Sequence, residues 1–191
     1  MREPNVKDRI LDATIELIGQ CASIENVTIR DIAAKAGVGV GLINYHFQTK
    51  ENLINQCVQK IIGNTINKFD ELYKSLILEP VDKLRFLSKL TCTFLVKNQG
   101  ISRASILSDL KAGSCTDNTS QTMEAYLPVM REIFGAIKND KELYILTHIL
   151  ITSFQSAFLR RDTFIKSEKV DFYDAKDREW LVDSIIDTVL K

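Results

Sequence analysis

Few residues of this chain have the types and spacing that catalysis requires. Only His46 and His148 could exchange protons near neutral pH. The sequence has no glycine-rich nucleotide loop after a strand. A site made of carboxylates alone stays open as an alternative, but the sequence predicts that the protein is not an enzyme and uses no cofactor. The four cysteines are too widely spaced for a zinc cluster, so no metal site is predicted: Cys21, Cys57, Cys92 and Cys115.

A different chemistry, the recognition of DNA by hydrogen bonds, is indicated around Ala33 and Gly37. Thr28 and Asp31 have the spacing of a capping box that starts a short helix, and Gly37 can take the left-handed turn that ends it. A second short helix then runs to Phe47. In a helix-turn-helix the second helix lies in the major groove while the first crosses the backbone, and Ala33 is small enough for the crossing. The sequence therefore predicts a helix-turn-helix at about residues 28–47.

The elements that position this segment are helices throughout, because apolar residues recur at three and four positions and not at two. Val6, Ile10, Ala13, Leu17 and Cys21 form the stripe of a first helix over residues 5–21. A longer helix starts at Lys50 behind the cap Thr49, with Gly63 as a kink or boundary. Further helices are predicted over residues 81–98, 101–112, 118–138, 141–166 and 175–190.

Residues 144–159 contain no formal charge if His148 is neutral, yet they are too short to span a membrane, which takes about 20 apolar residues. The sequence predicts instead a helix buried inside a bundle or between two subunits, and no membrane partner.

Acidic and basic residues are equal in number both in the whole chain and in residues 1–62. The chain of 191 residues holds 25 Lys and Arg against 25 Asp and Glu, which excludes a polybasic binder. Residues 1–62 hold seven basic and seven acidic side chains, and only residues 27–50 are positive, by two charges. Few direct ion pairs to phosphate are therefore expected. The opening residues lack the apolar core of a signal peptide, so a reduced, cytoplasmic protein is expected.

Four motifs stand in a specific order and spacing: Thr-x-x-Asp-Ile-Ala from Thr28, Ala36-Gly37-Val38, Tyr45-His46-Phe47, and Thr-Lys-Glu-x-Leu from Thr49. With these motifs, residues 5–62 resemble the tetracycline-repressor-like (TetR) family of bacterial transcription regulators. The resemblance implies an all-α chain. Residues 1–62 would be a three-helix DNA-binding domain, and residues 63–191 a helical domain for regulation, effector binding and dimerisation.

The resemblance also implies what the protein does. It would be a homodimeric repressor that binds a palindromic operator in double-stranded DNA and is released by a small-molecule effector. The alternative is a DNA-bound structural or cell-division factor on the same fold, with no effector, since its helix-turn-helix would look the same. Redox sensing through Cys115 is a further alternative.

Family roles carry over to matching residues. Thr28 would contact phosphate and cap its helix at once, and Gly41 would let the recognition helix approach the groove. Tyr45 would contact a base or phosphate, whereas His46 is either a DNA contact or a partly packed histidine. Lys50 is either a phosphate anchor or a solvated lysine. Gly39 and Val40 complete the predicted DNA-binding set.

Three positions depart from the commonest family pattern, in which lysine, threonine and tyrosine are frequent. Val40 and Leu42 lose phosphate donors and add apolar surface for thymine methyl groups, and Asn44 can make a bidentate contact to adenine. The hypothesis that follows is an operator with A·T pairs read by Asn44.

The rest of the chain must supply a dimer surface and a pocket. Both sets are predicted from helical stripes, for which internal core is the alternative. The dimer surface is predicted at Leu143, Leu146, Leu150, Phe154, Phe158, Leu181, Ile185 and Val189. The effector pocket is predicted at Phe86, Leu90, Phe94, Met123, Tyr126 and Met130.

Overall fold

The computed structural model describes residues 5–20, 26–167 and 169–191, so Cys21 of the first stripe lies outside the described residues. Within these ranges the chain forms ten helices and no strand, which confirms the all-α prediction. The helices are α1 (Val6–Gln20), α2 (Ile29–Ala36), α3 (Val40–Phe47), α4 (Lys50–Ser75), α5 (Pro80–Lys97), α6 (Gln99–Ala112), α7 (Asn118–Phe134), α8 (Asp140–Leu159), α9 (Arg161–Ser167) and α10 (Ala175–Val189).

A small hydrophobic cluster holds α1, α2, α3 and the start of α4 together. Its most deeply buried members come from all four helices: Ile10, Ile32, Ile43, Phe47 and Leu53. Short helices such as α2 and α3 are marginal alone, so this shared core is what orders them. Ile101 at the start of α6 also joins the cluster, which ties the N-terminal helices to the rest of the chain.

Local signals set the helix ends around the turn. Thr28 and Asp31 form the predicted capping box, with the Asp31 amide donating to the Thr28 hydroxyl at 3.2 Å. Gly37 ends α2 at φ +64°, a conformation that costs glycine little. Thr49 caps α4 by accepting from the Asn52 amide at 3.1 Å.

A larger cluster forms the second core, with α8 packed against α5, α7 and α10. Its fully buried side chains include Leu84, Met130, Leu150, Phe154 and Phe158. α4 and α6 run along this core and also reach the small cluster. They are therefore the two helices that belong to both halves of the molecule.

Three sequence predictions for helix bounds are wrong. The helix predicted over 118–138 ends at Phe134, and α4 is continuous through Gly63. The helix predicted over 141–166 is two helices, α8 and α9, because Arg160 leaves helical geometry at ψ 14° and the Arg161 guanidinium donates to the Phe158 carbonyl at 3.0 Å. Neither glycine nor proline marks that break.

Among the described residues, α8 is the one helix long and apolar enough to cross a membrane. One side of it lies in the large cluster through Leu150, Phe154 and Phe158. Its other side exposes Tyr144, Ile145 and Ile149, which are 44%, 58% and 45% exposed. The helix thus has one buried apolar face and one uncovered apolar face.

Candidate nucleic-acid interface

α3 separates its buried and exposed side chains by helical spacing. Ile43 and Phe47, four residues apart, are buried in the small cluster and fix the helix on its support. Asn44 and Tyr45 point away from that core, and Tyr45 is 79% exposed. This outer face is the one that a helix-turn-helix presents to the major groove.

Two exposed apolar side chains widen the same surface. Val40 and Leu42 are 40% and 43% exposed at the start of α3, although burial would be the usual fate of such residues. Their exposure fits the expected contact with thymine methyl groups, which remains a prediction.

The glycines of α3 have no role in packing within the chain. A Cβ atom added to Gly39 or to Gly41 would meet no described atom within 4 Å. Both residues are exposed, and Gly39 has an ordinary extended backbone at φ −74°. The room beside Gly41 is therefore free for a molecule that approaches from outside.

Thr28 is engaged by Asp31 through both of its donors. Its hydroxyl donates to Asp31 Oδ2 at 2.5 Å and its amide donates to the same oxygen at 3.1 Å. These hydrogen bonds lower the pKa of Asp31, so the carboxylate stays ionised. A phosphate at this helix end would therefore meet the free amides of the first turn of α2 before the Thr28 side chain.

His46 and Lys50 are each half-buried at the edge of the surface. The His46 ring lies 5.2 Å from the Tyr45 ring, edge to face, and 6.2 Å from the Phe47 ring. Lys50 is the first residue of α4, beside the cap Thr49. His46 packs against its neighbouring rings, and the DNA contacts of His46 and Lys50 stay predictions.

Arg9 is a positioning residue that the sequence analysis missed. From α1 it donates through one guanidinium nitrogen to the Ala36 carbonyl at 2.7 Å and to the Gly37 carbonyl at 3.4 Å. These carbonyls end α2, where a positive charge is favoured. Arg9 thus holds the turn between α2 and α3, and no local sequence signal pairs residues so far apart.

Several cations of the N-terminal helices are already committed to partners in the chain. Lys35 Nζ lies 2.5 Å from Glu16 Oε1, and Lys60 Nζ lies 2.7 Å from Asp12 Oδ1. Lys35 and Lys60 therefore add little net positive charge to attract phosphate, whereas Arg9 keeps its charge because its partners are neutral carbonyls. For these two lysines, the balance of charge in the sequence is also a pairing in space.

A cavity lies between α4, α5, α6, α7 and α8, and it holds about 660 Å³ including its open mouth. Of the predicted pocket residues, Phe94 and Tyr126 line it. The other four do not: Phe86 is 39% exposed, Met123 and Met130 are core residues, and Leu90 lies elsewhere on α5. The lining includes residues that the sequence analysis did not select, among them Asp109 and Asn118.

The stripe predicted as the dimer surface requires correction, because most of it is internal core. Leu143, Leu150, Phe154, Phe158 and Val189 are all buried within one chain, none more than 9% exposed. Leu146, Leu181 and Ile185 are partly buried and pack on the same cluster. The surface left for a partner consists of these three partly exposed side chains and the opposite faces of the two helices.

The three cysteines of the described residues differ in exposure, and redox sensing through Cys115 stays an alternative. Cys57 and Cys92 are buried and Cys115 is exposed, and no three His, Cys, Asp or Glu side chains are placed to hold a metal ion there. Burial raises the pKa of Cys57 to about 12, which disfavours the reactive thiolate.

Residues 10–57 match the sequence model of a family described as bacterial regulatory proteins, tetR family. The match covers the helices of the small cluster, from α1 into α4. Residues 10–57 are therefore a domain of the type that this family model describes. No curated protein matches the sequence.

Solved structures of TetR-family regulators share the fold over nearly the whole chain. One from Rhodococcus sp. RHA1 is 18% identical with a TM-score of 0.66, over 96% of this chain and 95% of that chain. One from Streptomyces coelicolor is 16% identical with a TM-score of 0.66, over 100% and 83%. A fatty acid degradation regulator from Bacillus halodurans is 16% identical with a TM-score of 0.60, over 100% and 97%. The chain therefore has the fold of a TetR-family transcriptional regulator.

Proposed function

We propose that the protein is a homodimeric repressor that binds a palindromic operator through α3 and leaves it when a small molecule binds. The observation that carries the proposal is the outer face of α3, where Asn44, Tyr45 and the bare backbone of Gly41 lie together. Such a face offers hydrogen bonds and a close approach rather than charge. In this proposal the protein works in the cytoplasm, where the DNA is.

The proposed division of labour places the DNA-binding domain in residues 1–62 and the regulatory domain in residues 63–191. The two hydrophobic clusters support this division. The boundary falls inside the continuous helix α4, so the domains are joined by a helix and not by a flexible linker.

Dimerisation is proposed through the uncovered face of α8 and the adjoining α10. Ile145 and Ile149 lie on this face, and Trp180 of α10 is 60% exposed. Large apolar side chains exposed on two helices that pack against each other are candidates for a partner surface. Two copies joined there would carry two α3 helices to two half-sites on one duplex.

Release by an effector is proposed to act through α4 and α6. Both helices line the cavity, through Ile66 and Ile106 among others, and both reach the small cluster, through Leu53 and Ile101. A ligand that fits better when these helices move would shift the α3 helices away from DNA-binding positions. The cavity favours this function over an effector-independent structural factor.

Selection of duplexes from a random pool by the full-length protein tests the DNA-binding part. We expect an inverted repeat whose half-sites contain A·T pairs at the positions that Asn44 reads, and we expect Asn44→Ala to lose that preference at a cost of about 1–3 kcal/mol per pair. Half-sites with only G·C at their core would contradict the Asn44 assignment. Recovery of no common sequence would contradict the function.

A further inference from the structure

The cavity in the regulatory half has two chemically distinct parts. Side chains of α4, α5 and α8 give it an apolar wall that includes Ile66, Phe94 and Phe154. Side chains of α6, α7 and α8 give it a polar end, where Gln155 donates to the Thr119 hydroxyl at 2.9 Å. Such a site suits a molecule with an apolar body and one polar group.

Two buried polar atoms at the polar end have no hydrogen-bond partner in the described chain, Asn118 Oδ1 and Ser102 Oγ. Asn118 is 6% exposed, and its amide nitrogen donates to Ser105 Oγ at 3.0 Å. Its oxygen is therefore left as an acceptor without a donor. Because an unmade buried hydrogen bond costs free energy, a ligand that donates to this oxygen would recover it.

Asp109 adds a carboxylate to the same end. Thr119 donates to its Oδ2 twice, from the amide at 2.8 Å and from the hydroxyl at 2.7 Å. Burial raises the pKa of Asp109, and the negative charge of Asp117 adds to the shift, whereas the hydrogen bonds from Thr119 oppose it. Of the described residues that line the cavity, none is Lys, Arg or His.

We infer that the cavity takes an amphipathic amine, bound as its ammonium ion against Asp109 and Asn118, and that it rejects carboxylates of the same size. An ammonium brings three donors and a positive charge to an end built of acceptors. A carboxylate brings only acceptors, and it would lie beside Asp109 with no cation to neutralise either charge. The inference rests on the proposed role of the cavity as the effector site.

Calorimetric titration of the full-length protein with decylamine, decanol and decanoate at neutral pH, below their micelle concentrations, tests the inference. The three probes share one apolar chain and differ in the head group. We expect decylamine to bind at least about tenfold more tightly than decanoate, a difference of about 1.4 kcal/mol. Equal or tighter binding of decanoate would overturn the ligand class and leave the cavity as a binding site. Binding of none of the three would overturn the effector site itself.

Substitutions locate the binding. Asp109→Asn keeps an oxygen for Thr119, and we expect it to reduce the advantage of decylamine over decanol by about tenfold. Asp117→Asn is the matched control, because Asp117 lies near Asp109, caps α7 and does not line the cavity. An equal effect of both variants would overturn the direct contact with Asp109.

A second variant distinguishes binding inside the cavity from binding on the protein surface. Ala125 lines the cavity, and Ala125→Phe would fill part of it. We expect the loss of binding of decylamine and decanol together, with helix content unchanged by circular dichroism. If Asp109→Asn does not fold, Asn118→Ala gives the same comparison through the other acceptor. Undiminished binding of decylamine to a folded Ala125→Phe protein would place the amine outside the cavity and overturn the inference.

Discussion

Gly41 is the residue at which the fold and the proposed function make opposite demands. No atom of the described residues lies within 4 Å of a Cβ built at this position, and alanine favours a helix more than glycine does. Folding alone would therefore favour a side chain at Gly41. Its absence is explained if the backbone of α3 must come close to DNA.

Gly41→Ala therefore separates folding from DNA binding. We expect the free energy of unfolding to stay the same or rise by up to about 1 kcal/mol, as helix propensity predicts. We expect the affinity for the selected duplex to fall by about tenfold, or about 1.4 kcal/mol. Urea unfolding and fluorescence anisotropy measure the two quantities.

Gly19→Ala is the control for this comparison. Gly19 is an exposed helical glycine of α1, and a Cβ there also meets no atom of residues 5–20, 26–167 or 169–191 within 4 Å. The control should gain the same stability and bind DNA as the wild type does. An unchanged DNA affinity in Gly41→Ala would show that α3 does not approach the groove at this residue.

Among the elements, α8 has the most demanding role, since it supports the core with one face and exposes the other. Ile149 lies on the exposed face, and a charge there should not disturb Leu150 or Phe154 behind it. We expect Ile149→Glu to turn the dimer into a monomer with nearly unchanged stability, as measured by analytical ultracentrifugation. Its DNA affinity should fall because a monomer reads one half-site.

Ile137→Glu is the matched control for α8. Ile137 follows α7 and is 76% exposed. The variant therefore places the same glutamate at an exposed isoleucine that lies outside the proposed interface. A dimer that persists in Ile149→Glu, or a monomer in both variants, would contradict the α8 interface.

The elements differ in how well the sequence predicts them. α2, α3 and the start of α4 could be located because Thr28, Gly37 and Thr49 fix their ends by local hydrogen bonds and backbone geometry. The break at Arg160 could not, since a side chain of the next turn takes the carbonyl that ends α8. A helix end that depends on neighbouring residues can be predicted from the sequence, whereas one that depends on a side-chain contact across the break cannot.

The sites show the same difference. The exposure of Tyr45 and Asn44 follows from the spacing of Ile43 and Phe47. The faces of α8 could not be assigned in advance, because both are apolar and only tertiary packing decides which is buried. The polar end of the cavity was missed because its members come from three different helices.

At the scale of the whole molecule, the neutral net charge limits the electrostatic contribution to DNA binding. The chain has no net charge, and Lys35 and Lys60 are paired with acids of α1. Affinity should therefore come from hydrogen bonds and shape more than from the release of counterions. Doubling of the site by dimerisation would compensate for the small positive patch of each chain.

The salt dependence of binding measures this directly. We expect the plot of log K against log salt to have a slope shallower than about −9, which corresponds to fewer than about ten phosphate contacts per dimer. Fluorescence anisotropy at several salt concentrations gives the slope. A steeper slope would show that the interface uses cations outside residues 28–50.

The central claim is that the outer face of α3 reads a DNA sequence. The most direct test is a competition between the selected duplex and a scrambled duplex of the same composition, with the full-length protein at physiological salt. We predict binding to the selected duplex at least about 10³-fold tighter, as for specific DNA-binding proteins, and a ratio about tenfold smaller in Gly41→Ala. Equal binding of the two duplexes would contradict the claim.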